Sequence, residues 1–149
     1  MIETKTMDIN QTDNCTCFNL RKAARAVTQA YDGTLKPIGL RATQLSVLNV
    51  IAIEGPAAMS ELADILVMDR TTLTRNIKPL MDQGYLKSVT GEDKRQRPIA
   101  ITAKGKKQLK KALPYWQQAQ KNVAAGLGME RLVQLLSNLK ETTKLTYPQ

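Results

Sequence analysis

The strongest constraint on this chain is the gap between two short amphipathic patterns. Met59-Ser60-Glu61-Leu62-Ala63-Asp64-Ile65-Leu66 puts Leu62, Ala63 and Leu66 on one face of a helix. Val67-Met68-Asp69 alone then separates it from a second pattern, in which Leu73, Ile77, Leu80 and Met81 recur at helical spacing as a core-facing stripe. So short a link forces the two helices to pack across a tight turn. Asp69 suits the N-cap of the second helix, because its carboxylate can accept the free amides of the first turn. Gly84 suits the position just past its end, where a left-handed backbone meets no Cβ clash. Leu86-Lys87-Ser88-Val89 and Pro98-Ile99-Ala100-Ile101 then read as two strands flanking a charged tip that opens at Gly91. The expected class is mainly α with a small β-wing: a winged helix-turn-helix.

In such a unit the second helix is the one that enters a DNA major groove. Its outer face carries Thr71, Arg75, Lys78 and Asp82, with Thr72 and Thr74 beside them and Arg70 at its start. Taken alone, that face reads as ordinary solvated surface; the neighbouring elements change the reading. Arginine can donate two hydrogen bonds to guanine, and threonine can meet a base edge or a thymine methyl. Arg75 is the best candidate for a base edge. Arg70, Thr71, Thr72 and Thr74 are further groove candidates, the threonines serving phosphates equally well, while Lys78 and Ser60 suit phosphate contacts.

Charge points the same way. The chain carries 22 Lys+Arg against 13 Asp+Glu and no histidine, a formal +9 over 149 residues. Between Lys87 and Lys111 there are nine Lys/Arg against Glu92 and Asp93, so that segment alone holds +7 (nine minus two). Charge gathered on one hairpin and the following helix is what a polyphosphate-contacting surface requires. Lys94 and Arg97 would add affinity without regard to sequence.

Around this unit the pattern is helical. Met1 to Asn14 is polar and aperiodic, an arm. Leu20, Ala24, Val27, Tyr31 and Leu35 form a stripe that ends near Pro37 and Gly39. Ala42 to Ile53 is a second helix with Leu45, Leu48, Ile51 and Ala52 inward, closed by Gly55-Pro56. Thr102 caps a long helix bearing Leu109, Leu113, Trp116 and Val123, and Gly126-Leu127-Gly128 breaks it. A last helix from Met129 to Leu145 carries Leu132, Leu135, Leu136 and Leu139. Pro79 and Pro114 fall inside helices, each removing one internal hydrogen bond, and a bend is expected after Arg75. The expected organisation is an arm (1–14), a winged helix-turn-helix (40–102) and a helical dimerisation region from both ends (15–39 and 103–149). The end helices hold more apolar surface than a winged helix needs to cover itself, and a second copy of the chain is the natural cover.

Leu62-Ala63, Asp69-Arg70-Thr71-Thr72-Leu73-Thr74-Arg75, Gly84-Tyr85-Leu86, Asp93-Lys94-Arg95 and Ile101-Thr102-Ala103-Lys104-Gly105, in that order and spacing, resemble the multiple-antibiotic-resistance regulator (MarR) family. The resemblance runs from about Leu20 to Leu139. It implies an intertwined homodimer built from the end helices, presenting two reading helices to double-stranded DNA one helical turn apart, ~34–36 Å. It implies that Arg95 is a minor-groove finger, and that Asp93 orients Arg95 or another wing arginine through charge-assisted hydrogen bonds. It also implies a small aromatic acid as effector, bound between the dimer and DNA-binding lobes; Tyr31, Tyr115 and Trp116 nevertheless read first as core or interface aromatics. Ala58 departs from the family, which has a capping threonine there.

Cys15 and Cys17 flank the start of the first helix. Three readings are open: reduced thiols packed as small hydrophobes, a redox switch at a helix N-terminus that favours thiolate, and metal sensing. The first is favoured and the last is weakest, since Cys-x-Cys supplies two ligands and the chain has no histidine. An enzyme is not expected, because the commonest general base is missing and neither a phosphate-binding glycine loop nor a carboxylate cluster is present. Neither a cofactor nor a metal is expected. No apolar run suits a membrane and the N-terminus lacks a signal-peptide layout, so the expected place is the cytoplasm, at the nucleoid. The expected role is a sequence-specific regulator, in repressor mode, on a pseudo-palindromic operator, with release by a small aromatic ligand or by thiol oxidation. A non-specific architectural DNA-binding protein is the alternative.

Overall fold

A computed structural model of the chain describes Asp8, residues 10–90, Asp93 and residues 95–146. After a 3-10 turn at Thr12–Asn14 come α1 (Thr16–Leu35), a second 3-10 turn (Lys36–Ile38), α2 (Ala42–Glu54), α3 (Met59–Leu66) and α4 (Arg70–Asp82). The hairpin β1 (Leu86–Ser88) and β2 (Ile99–Ile101) leads into α5 (Ala103–Leu127) and α6 (Met129–Thr146). The strands are antiparallel, with Leu86 opposite Ile101 and Ser88 opposite Ile99. Ala57, just before α3, exchanges backbone hydrogen bonds with Ile99 and so ties the hairpin to the helical layer.

The core is one cluster centred on α2, α3 and α4. Val47, Leu48, Ile51, Leu62, Leu73 and Leu80 are fully or almost fully buried in it, and Leu35 of α1 and Ala112 of α5 belong to the same cluster. The α4 stripe holds for Leu73, Ile77 and Leu80, but Met81 is 37% exposed. Residues 73, 77 and 80 fall within about 60° of one another on a helix, and Met81 lies about 40° beyond Ile77, ~100° from position 80, at the edge of that stripe. α4 continues unbroken through Pro79 to Asp82, and α5 likewise through Pro114.

Helix ends are held by polar groups, two of them unforeseen. The Ala42 amide, at the start of α2, donates to Asp32 Oδ1 on α1 at 2.7 Å. Ala58 offers no side-chain cap, yet its amide donates to Glu61 Oε2 at 3.1 Å, which keeps half of a capping box. Buried Gln108 of α5 donates to the Ile38 carbonyl at 2.7 Å.

The long-helix stripe divides. The face of α5 buried within the chain is Gly105, Gln108, Ala112 and Ala119, whereas Leu113 and Trp116 are 50% and 41% exposed. Small residues let α5 lie close against α1 and α2, and the larger side chains are left outside. On α1 only Leu35 is buried, and Leu20 and Val27 stay exposed; on α6 only Leu132 is buried, while Val133, Leu135, Leu136 and Leu139 are exposed.

Candidate nucleic-acid interface

α3 and α4 meet across Val67-Met68-Asp69. The turn works because Val67 takes a left-handed backbone (φ 51°, ψ 47°), the one non-glycine residue to do so among the described residues. The amides of Val67 and Met68 donate to the carbonyls of Asp64 and Ala63, which closes α3. A β-branched residue is costly in that conformation. Asp69 then caps α4: Oδ1 accepts the Thr72 amide at 2.8 Å and Oδ2 accepts the Thr72 hydroxyl at 2.6 Å. The Thr72 hydroxyl first, then its amide, hold the Asp69 carboxyl below the usual carboxylate range.

Arg70, Thr71, Thr74, Arg75 and Lys78 are exposed on α4, and Ser60 is exposed in the first turn of α3. The threonines are not equivalent. Thr72 is half-buried with its hydroxyl proton given to Asp69, and Thr74 gives its own to the Arg70 carbonyl at 2.7 Å. The Thr71 hydroxyl has no partner among the described residues, so it is the threonine donor available to DNA. That division follows from i→i+4 back-bonding and capping, both local effects.

At the wing, Asp93, Arg95 and Arg97 are exposed. Asp93 Oδ1 accepts the backbone amide of Arg95 at 2.9 Å, and its carbonyl accepts the Gln96 amide. The contact that holds Arg95 is therefore a tight Asx-type turn on the main chain, in place of the expected carboxylate–guanidinium bond. Lys94, with Gly91 and Glu92 at the wing tip and residues 1–7 and 9 of the arm, lies outside the described residues.

Among the described residues the one ion pair is Lys144–Glu141, far along the chain from this surface. Arg70, Arg75, Lys78, Arg95 and Arg97 thus have no counter-ion among the described residues, and their summed field favours a polyanion. Lys104 differs. Its Nζ donates to the Gln83 carbonyl at 2.7 Å, just past α4, and lies 5.3 Å from the Tyr85 ring centre.

A cavity of about 290 Å³ lies between α1, α2 and α5, lined by Tyr31, Leu45, Ser46, Asn49, Leu113 and Trp116 among others. Burial pushes the Tyr31 phenol up, and its hydroxyl donates to Gln120 Oε1. Tyr31 and Trp116 wall this cavity, and Tyr115 packs against the core cluster. The polar side chains Ser46 and Asn49, one turn apart on the mostly apolar α2, are the sequence signal that would have marked the cavity. Cys15 and Cys17 are both free and exposed, which removes the packed-hydrophobe reading within the chain. Cys15 Sγ caps α1 by accepting the Phe18 amide at 3.5 Å. No group of three or more potential metal ligands is found among the described residues. No described helix is long and apolar enough to cross a membrane.

A family model described as the MarR family matches residues 38–96. The uncharacterized HTH-type transcriptional regulator YwoH of Bacillus subtilis is 32% identical over 88 residues, which span 59% of this chain and 64% of that relative. The M. tuberculosis transcriptional regulator MosR in complex with DNA is 40% identical, with a TM-score of 0.76 over 89% of this chain and 98% of that one. MarR of E. coli, as a variant complexed with operator DNA, is 20% identical with a TM-score of 0.80 over 91% and 98%, a likeness of fold. The exposed reading helix, the wing and these likenesses agree: the chain belongs to the MarR family and is a DNA-binding transcriptional regulator.

Proposed function

We propose that the chain works as a homodimer that represses transcription by occupying a pseudo-palindromic operator and blocking promoter access, within the cell at the nucleoid. Residues 40–102 form the DNA-binding lobe, and 15–39 with 103–149 form the dimerisation region. The carrying observation is a pair of unmatched surfaces on one chain. Arg70, Arg75, Lys78, Arg95 and Arg97 are exposed without counter-ions among the described residues, while α1, α5 and α6 leave Val27, Leu113, Trp116, Val133, Leu135 and Leu136 exposed. A duplex neutralises the first and a second copy covers the second. Arg75 reads a base edge, Thr71 is the free hydroxyl donor beside it, and Arg70, Thr72 and Thr74 support the same turn. Ser60, Lys78, Lys94 and Arg97 meet phosphates, and Arg95, fixed by Asp93, enters the minor groove.

Release follows either of two routes. The first is a small aromatic ligand in the cavity walled by Tyr31 and Trp116. Its lining includes the Tyr31 and Ser46 hydroxyls, the Asn49 amide and the Trp116 indole but no charged side chain, so it suits an uncharged aromatic better than a carboxylate. The second is oxidation of Cys15 and Cys17 by a peroxide: two thiols lose two protons and two electrons to form a disulfide, and the same protons and electrons reduce hydrogen peroxide to two waters, or an alkyl peroxide to an alcohol and a water. The N-cap of α1 would then be reshaped where the dimer begins.

In vitro selection of bound duplexes tests the main reading. A recovered palindrome with half-sites about one turn apart, bound ~10³-fold or more tighter than random DNA, supports it. Equal affinity for all duplexes favours the architectural alternative. Operator binding that survives peroxide in wild type and in the Cys15→Ser/Cys17→Ser variant alike removes the thiol route.

A further inference from the structure

The start of α5 grips the end of the reading helix. Where α4 stops, three successive carbonyls are held by three groups of the 102–104 turn. Gln83 O accepts Lys104 Nζ at 2.7 Å, Gly84 O accepts the Thr102 hydroxyl at 2.6 Å, and Tyr85 O accepts the Thr102 amide at 3.0 Å. The Lys104 stem passes over Gly84, its Cδ 3.7 Å from where a Cβ would stand, and its ammonium faces the Tyr85 ring. A cation at these carbonyls also meets the negative end of the α4 dipole. Of the described cations in the Lys87–Lys111 block, Lys104 is the one with such partners among the described residues; Arg97, Lys106 and Lys107 have none there.

We propose that Lys104 is a positioning residue for base recognition: it fixes the tilt of α4 in the groove by binding the carbonyl behind that helix, and it does not contact phosphate. This rests on operator binding as proposed above. Two consequences separate it from the ordinary role of a lysine in a basic block. Loss of a phosphate contact weakens every duplex alike and lowers the salt slope by ~0.9 per contact. Loss of a positioning contact weakens the sequence-dependent part alone and leaves the slope in place.

The test is Lys104→Met, which keeps the stem and removes the donor, with Arg97→Met as comparator. Affinity is measured across a salt series for the selected operator duplex and for a random duplex of equal length, after thermal unfolding has established that each variant is folded. The expected result for Lys104→Met is operator binding weakened about five-fold, random-duplex binding within about two-fold of wild type, and an unchanged salt slope. Arg97→Met should weaken both duplexes and lower the slope by ~0.9. A Lys104→Met slope reduced like that of Arg97→Met, or operator affinity equal to wild type, overturns the proposal. A wild-type protein without preference for the operator overturns the regulator reading itself, whatever the variants do.

Discussion

Replacing Gly105 by alanine should be among the most damaging single-methyl additions to this chain. Gly105 sits one turn into α5, where an added Cβ would fall 2.2 Å from the Tyr85 carbonyl oxygen and 2.7 Å from Ile101 Cγ1. Ordinary contact begins at 3.4 Å, so relief needs a shift of about 1.2 Å (3.4 minus 2.2) in main chain that cannot swing aside. That same oxygen accepts from the Thr102 amide at 3.0 Å, and a shift of this size breaks that bond. Overpacking costs about 2 kcal/mol and the lost bond about 1, offset by about 1 from the better helix propensity of alanine, leaving a net loss of about 2 kcal/mol. For a domain of this size that lowers Tm by about 4–8 °C, measured by calorimetry at one fixed protein concentration because dimerisation makes Tm concentration-dependent. Gly33→Ala in α1 supplies the opposite sign: nothing lies within 4 Å of its Cβ position, so stability should rise by about 0.5 kcal/mol. A Gly105→Ala protein as stable as wild type would refute the close-approach reasoning.

Arg75→Ala should relax preference at one base pair of each half-site, read as a flattened position in a repeat selection, whereas Arg97→Ala should lower affinity for all duplexes; an Arg75→Ala protein with intact preference means that another side chain reads that base. Val67→Gly relieves a left-handed β-branched residue, and denaturant unfolding should show a gain of up to about 1 kcal/mol, reduced by the extra freedom of glycine in the unfolded chain. Asp69→Ala removes the α4 cap. Because the folded-state pKa of Asp69 is depressed, its contribution is present above the ordinary carboxylate pKa and fades as pH falls through the folded value. Unfolding curves of wild type and Asp69→Ala should therefore differ at neutral pH and converge in acid, and a gap constant down to the lowest pH sinks that account.

Large apolar residues at helical spacing revealed the order of elements, and they revealed it well where a helix buries one face in its own chain. Leu73, Ile77 and Leu80 are such a case. They misled on α5, because Leu113 and Trp116 share the helical period but not the face that packs inward, and the true seam is Gly105, Ala112 and Ala119 with Gln108. Periodicity gives the existence of a stripe, and close helix packing by small residues leaves too little hydrophobic signal to say which side of it is used. The α4 candidates were placed on the exposed face as expected, but the loss of the Thr72 and Thr74 protons to local acceptors is a matter of rotamers. Asp32 capping α2 and Lys104 capping α4 join residues 10 and 21 positions apart, and no local pattern encodes such a pairing.

α5 is 25 residues long, about 37 Å at the usual rise, and it touches three different things on the way. Its root clasps the carbonyls behind the reading helix, its middle walls the cavity, and its far half packs on α6. Such a rod is a lever. Pivoting it by ~3° about its distal end carries the root through ~2 Å, far beyond the few tenths of an ångström that a bidentate arginine–guanine pair tolerates. On the proposed ligand route, a molecule wedged beside Trp116 would therefore have no need to reach the DNA in order to dislodge it.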